Sequence, residues 1–111
     1  MMHKMNLRED AFEKIKEKTK SIEMRLNDKK RSYIKIDDII EFTNLSSGEK
    51  IRCLVTDLFK YSNFKELYKQ HNKVLIGYGE DEEANPSDML KYYPKEDVER
   101  FGVIGIEIKV I

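Results

Sequence analysis

The sequence predicts an α+β domain, a small and mostly antiparallel curled sheet with helices flanking it. Three observations lead there. Apolar residues alternate with polar ones at Ile22–Leu26 and again at Ile104–Val110, the period of two that marks a strand with one buried face. Apolar residues recur at helical spacing near 9–17 and 63–71. Finally, the strands cluster in the first half behind short turns, with one late strand returning to them. That order favours a curled antiparallel sheet over a doubly wound parallel one, in which strands and helices would alternate throughout.

The elements follow in order. His3–Leu7 reads as a first strand. A helix over Glu9–Glu17 carries Ala11, Phe12 and Ile15 on one side and acidic Glu9 and Asp10 in its first turn, with no good capping residue before it. In the next strand Ile22, Met24 and Leu26 point one way, while Ser21, Glu23 and Arg25 point the other. Residues 27–32 form a polar, basic turn, and 35–38 a second turn into the strand Ile39–Phe42. Ser46-Ser47-Gly48-Glu49 is a hairpin loop leading to the strand Ile51–Leu58. Asn63 caps a helix, with Glu66 three residues on, and Phe64, Leu67, Tyr68 and His71 share one side of it. Val74–Ile76 leads into Gly77-Tyr78-Gly79 and an acidic run. Asn85-Pro86 starts a helix, Pro94 starts another that Gly102 closes, and Val103–Ile111 is the last strand, with one dry face. The predicted order is β-α-β-β-β-α-α-α-β, in one domain over residues 1–111 with no repeat or linker.

Composition narrows the function classes. The chain is 38% charged, against about 25% in typical soluble proteins, and no apolar run nears the ~20 residues that span a bilayer. No apolar segment follows the N-terminal Met-Met-His-Lys, so neither secretion nor a membrane role is expected. The one cysteine, Cys53, lies in an apolar run and reads as a core residue of a cytoplasmic protein. Lys plus Arg and Asp plus Glu both number 21, but the balance is uneven along the chain. Residues 14–31 hold eight basic against three acidic side chains, and residues 80–99 hold eight acidic against two basic ones. A neutral total disfavours indiscriminate DNA coating, although the basic segment can still meet a phosphate locally. These stretches equally fit ordinary solvated helix faces.

No glycine-rich phosphate loop, paired Cys/His metal spacing or Gly-x-Ser-x-Gly elbow is present, and no cofactor is implied. His71 reads as a packed or surface histidine beside Tyr68. The informative segment is Lys20-Ser21-Ile22-Glu23-Met24-Arg25. Glu23 and Arg25 share a strand face, and Lys20 stands at the helix-to-strand junction within reach of the same space. Together they offer a fork of donors, an acceptor and a point charge, groups able to fix a polar ring or base edge. Spacing alone fits a simple Glu23–Arg25 salt bridge as well as a ligand cleft.

This segment, following an amphipathic helix, resembles the signature of the ASCH (activating-signal-cointegrator homology) domains, usually written Gly-x-Lys-x-x-Glu-x-Arg. Ile36-Asp37-Asp38-Ile39-Ile40-Glu41-Phe42 is similar to the family's "vGDiieF" stretch, and Gly102-Val103-Ile104-Gly105-Ile106-Glu107 to its closing strand. The resemblance runs along essentially the whole chain and implies a PUA-like β-barrel. Two family glycines fall on Lys18 and Asp37. If Lys18 ends its helix in the left-handed region, it carries a cost on the order of 1 kcal/mol relative to glycine.

The resemblance also carries functional expectations. PUA domains bind RNA, and ASCH domains are proposed to bind RNA or modified nucleosides. In a binding module, Lys20, Ser21, Glu23 and Arg25 line the cleft and Tyr78, between two glycines, supplies a mobile stacking face. Lys14, Lys16, Lys18, Lys29, Lys30 and Arg31 would attract phosphate. Some small bacterial ASCH proteins are instead amidohydrolases that deacylate N4-acetylated cytidine through a lysine and a threonine of the motif and a downstream glutamate. Here Lys20 matches the lysine, but Glu23 stands where the threonine would be. An enzyme would then use Glu23, Glu80 or Glu82 as base and Lys20 to stabilise an oxyanion. A regulatory partner-binding domain is the third reading.

Overall fold

The computed structural model describes residues 1–111. Five strands form one sheet, β1 (Met2–Leu7), β2 (Ile22–Leu26), β3 (Ile39–Asn44), β4 (Lys50–Tyr61) and β5 (Val103–Val110), in the order β1-β3-β4-β5-β2. β1 runs parallel to β3, and every other pairing is antiparallel. The predicted α+β class and the mostly antiparallel sheet are thus present. The long β4 breaks register between Val55 and Asp57. A bulge there increases the local twist and curls the sheet into an open barrel. β1 and β2 are its two edges, with a seam between them.

The helices are α1 (Glu9–Lys16), α2 (Lys29–Ser32), α3 (Phe64–Gln70) and α4 (Lys95–Phe101), with a 3-10 helix at Pro86–Lys91. None is long and apolar enough to cross a membrane. Arg8 precedes α1 without a side-chain cap, whereas the Asn63 side chain accepts from the Glu66 amide at 2.9 Å at the start of α3. The basic turn expected at residues 27–32 contains a short helix, because the Asp28 carboxylate accepts from the Arg31 amide at 3.0 Å and caps it. The helix expected at Pro86 has 3-10 geometry instead.

Two cores sandwich the sheet. Met5, Phe12, Ile40, Phe42, Val55 and Ile106 are among the side chains that fill the concave side beneath α1. Ile22, Met24, Leu26, Phe64, Leu67 and Val98 pack on the convex side, under α3 and α4. The alternation in β2 therefore separates an apolar face from the Glu23–Arg25 face, as its period requires. β5 departs from the expected single dry face, since Val103, Ile104, Gly105 and Ile106 are all buried. The reason is Gly105. A Cβ there would lie 3.2 Å from Ile22 and 3.6 Å from Leu67, so its absence lets the convex core close over the strand. Lys18 and Asp37, where the family has glycine, both adopt positive φ, 70° and 77°. Cys53 is fully buried, and burial pushes its thiol up to about 11, which makes it an inert core residue.

Candidate functional site

β2 is an edge strand whose concave-facing side chains are polar, and this places charge at the seam. The Glu23 carboxylate accepts from Arg25 Nε at 2.6 Å and lies 3.3 Å from Lys20 Nζ. Lys20 also donates to the Ile22 carbonyl at 3.0 Å and to the Ile76 carbonyl at 2.9 Å. Three acceptors thus surround an ammonium that has three hydrogens. Lys20 and Glu23 are each only 6% exposed, so the pair is desolvated. Burial pushes the Lys20 ammonium below its ordinary pKa, with Glu23 opposing part of that shift. Burial pushes the Glu23 carboxyl up, but Lys20 and Arg25 outweigh it and hold it below the usual carboxylate range. For Arg25, burial likewise opposes the charge, and Glu23 more than compensates.

Arg25 also reaches across the seam, donating from Nη2 to the main-chain carbonyl of Asn6 on β1 at 2.8 Å. The two edges stay apart around this contact and leave a cleft of about 530 Å³. Lys20, Glu23, Met24 and Arg25 form one wall, Asn6, Leu7 and Arg8 another, and Met89, Tyr92 and Tyr93 follow from the 3-10 helix and its end. Tyr93 stacks on Phe64 with ring centroids 5.9 Å apart, and Arg8 both lies over the Tyr92 ring at 5.7 Å and donates to its hydroxyl at 3.3 Å. Tyr92 stays 51% exposed, leaving ring surface open at the mouth.

Of the residues proposed from sequence, Lys20, Glu23 and Arg25 come together in this one concavity. Ser21 does not. Its amide donates to Leu75 and its carbonyl accepts from Ile108, and it lines a separate hollow of about 160 Å³ with Lys18 and Lys109. Tyr78 is not a mobile face, because its hydroxyl meets the Tyr68 hydroxyl at 2.9 Å and donates to the Asp88 carboxylate at 2.8 Å, outside the cleft. Neither Glu80 nor Glu82 lines the cleft either. Glu80 is exposed, and Glu82 accepts from the Gly79 amide at 2.7 Å and sits 3.6 Å from Lys14. A catalytic base drawn from that loop is therefore misplaced.

The basic segment divides in the same way. Lys14 donates to the Gly77 carbonyl at 2.7 Å, Lys16 pairs with Glu49 at 2.8 Å, and Arg31 lies 3.5 Å from Asp28. Lys18, Lys29 and Lys30 remain exposed with no carboxylate partner. The sequence pattern pointed to none of Asn6, Arg8, Met89, Tyr92 or Tyr93 as cleft residues. Nothing local in the sequence shows that these segments meet.

The ASCH domain family model matches residues 5–111. Among solved structures, the crystal structure of hypothetical protein PH0355 superposes with a TM-score of 0.85 at 31% identity, covering 100% of both chains. The solution structure of protein PF0455 from Pyrococcus furiosus does so with a TM-score of 0.79 at 31% identity, covering 100% of this chain and 98% of that one. No functionally curated protein matches the chain. A family model that spans nearly every residue, and relatives of the same length and PUA-like open barrel, lead to one assignment: the chain belongs to the ASCH domain family.

Proposed function

We propose that the chain is a nucleotide-binding module that holds one base of RNA, or of a free nucleotide, in the seam cleft. The observation that carries this reading is the division of labour in the Lys20–Glu23–Arg25 network. Lys20 has a protein acceptor for each of its hydrogens, so it fixes Glu23 and has no donor left for a ligand. Glu23 and Arg25, held in place, keep unused lone pairs and N–H groups at the cleft wall. A cleft of about 530 Å³ lies within the usual range for small-ligand sites, and the open Tyr92 ring can stack on a planar base. Exposed Lys29 and Lys30 offer phosphate contacts on α2.

The same features speak for binding over deacylation. The hydroxyl of the family's amidohydrolases is replaced by a carboxylate already engaged on both oxygens, and the acidic loop supplies no base to the cleft. Calorimetric titration with cytidine, adenosine, their monophosphates and short single-stranded RNAs tests the reading, with acetylated cytidine assayed alongside for release of cytidine. Binding that Arg25→Ala weakens by at least tenfold, without turnover, is the expected result. Turnover of acetylated cytidine that Lys20→Ala abolishes would establish the enzyme instead, and no binding of any of these ligands would remove the proposal.

A further inference from the structure

The edge of β2 that faces the seam carries main-chain groups as well as side chains. Ile108 donates to the Ser21 carbonyl and Asn27 donates to the Gly102 carbonyl, which sets the parity of the β2–β5 ladder. Ser21, Glu23, Arg25 and Asn27 turn their main chains toward β5, and Ile22, Met24 and Leu26 turn theirs outward. At Ile22 those outward groups are satisfied, since its amide donates to Leu75 at 2.9 Å and its carbonyl accepts from Lys20 at 3.0 Å. Leu26 does not line the cleft. Met24 does, and neither its N–H nor its C=O has a partner within the protein. Its side chain packs in the convex core, so Met24 offers the cleft its main chain.

We infer that Met24 reads the polar edge of the bound base through its own N–H and C=O, as the next strand of a sheet would be read. The inference rests on the nucleotide-binding reading and names the chemistry of the ligand. One donor beside one acceptor fits a planar ring that presents an acceptor beside a donor. An extended peptide would need several free residues in a row, and here Lys20 and Leu75 close the edge at Ile22 while Arg25 occupies the Asn6 carbonyl opposite. The open length matches one ring. Glu23 adds a second acceptor on the same wall, and an amino group has two hydrogens to give to two acceptors. The favoured edge is therefore a ring nitrogen beside an exocyclic amine, as in cytosine and adenine.

The ligand itself provides a test that leaves the protein intact. Cytidine and adenosine are compared by calorimetry with 3-deazacytidine and 1-deazaadenosine, which lose the ring acceptor and keep the shape. The deaza compounds should bind about tenfold more weakly, because the Met24 N–H would be buried without a partner. In amide-resolved NMR spectra, the Met24 amide proton should move downfield with the parent nucleosides and not with the deaza ones. Met24→Pro, which removes the N–H from the outward edge of β2, should reproduce the loss in the parent nucleosides. Equal binding of parent and deaza nucleosides with an unmoved Met24 amide overturns the inference and leaves the binding reading standing. Failure of every nucleoside and nucleotide to bind overturns both.

Discussion

Replacing Lys20 with methionine tests the network on which the site depends. The substitution keeps much of the stem and removes the ammonium, which leaves Glu23 Oε1 and the carbonyls of Ile22 and Ile76 without their donor. Removing one partner of a buried ion pair costs about 3–5 kcal/mol, chiefly because the other charge stays buried. Arg25 still holds the second Glu23 oxygen at 2.6 Å, so the expected loss lies at the lower end, about 3 kcal/mol. At roughly 4 °C per kcal/mol for a domain of this size, the melting temperature should fall by about 12 °C. Urea unfolding at several pH values adds a second readout. In the wild type, the depressed Glu23 pKa contributes stability that is present above the unfolded carboxylate value near ~4.3 and is lost as pH falls through the folded pKa. In Lys20→Met the ammonium no longer counters burial, so the Glu23 pKa rises and protonation costs the fold less. The gap between variant and wild type should therefore narrow as pH falls from about 7 to below about 4. Lys20→Met/Glu23→Gln should be less destabilised than the sum of its single variants, since the Glu23 carboxylate no longer stays buried without the ammonium, although Arg25 loses its carboxylate partner. A Lys20→Met protein within ~1 kcal/mol of wild type at neutral pH, or a gap independent of pH, would refute this account.

Other substitutions probe separate parts of the molecule. Lys18→Gly should raise stability in urea unfolding by about 0.5–1 kcal/mol, because φ is 70° there and glycine adopts it without strain; a loss of stability would contradict that cost. Asp38 is held down at about 2 by His3, which lies 2.7 Å away, and by the Lys35 amide and the N-terminal ammonium. Its contribution to stability is present above the ordinary carboxylate value and is lost as pH falls toward 2, so Asp38→Asn should flatten urea stability between about pH 4 and 2; an unchanged acid limb would disprove the assignment. Lys29→Glu/Lys30→Glu should weaken binding of single-stranded RNA and lower the slope of log affinity against log salt by about 1.4, at about 0.7 per phosphate contact; an unchanged slope places the phosphates elsewhere.

What the sequence made legible was local. The period of two in β2 and β5 and the stripes of α1 and α3 each lie within a dozen residues, so they could be read without knowing the fold. The left-handed backbone at Lys18 and Asp37 was legible through family glycines that these residues replace, and both have positive φ. Distant partners were not legible. Tyr78 between two glycines reads as mobile, but Asp88 and Tyr68 fix its hydroxyl. Glu82 reads as a free carboxylate until Gly79 and Lys14 are seen beside it. The second wall of the cleft depends on the curl of the sheet, which brings Asn6 to Arg25 and Arg8 to Tyr92 across 19 and 84 residues of chain. No periodicity records such a meeting.

The buried charges themselves call for an explanation, since apolar residues of similar volume would often serve stability as well. What they add is a fixed geometry. Lys20 is pinned by two carbonyls and in turn orients Glu23, Glu23 orients Arg25 through Nε, and Arg25 closes the chain on the opposite edge at Asn6. Each side chain therefore has little rotamer freedom left to lose on taking up the proposed ligand, which would remove a cost of roughly 0.5–1.5 kcal/mol for each long side chain ordered on binding. Arg25 has two of its five N–H groups engaged and three unused, and Glu23 has accepted one bond on each oxygen and can accept more. A threonine in place of Glu23 would present a hydroxyl and leave Lys20 without its counter-charge, whereas the carboxylate neutralises that lysine and turns it into a support. The Lys-x-x-Glu-x-Arg spacing thus builds a rigid acceptor and donor pair at the mouth of an open barrel, with the lysine beneath holding them in place.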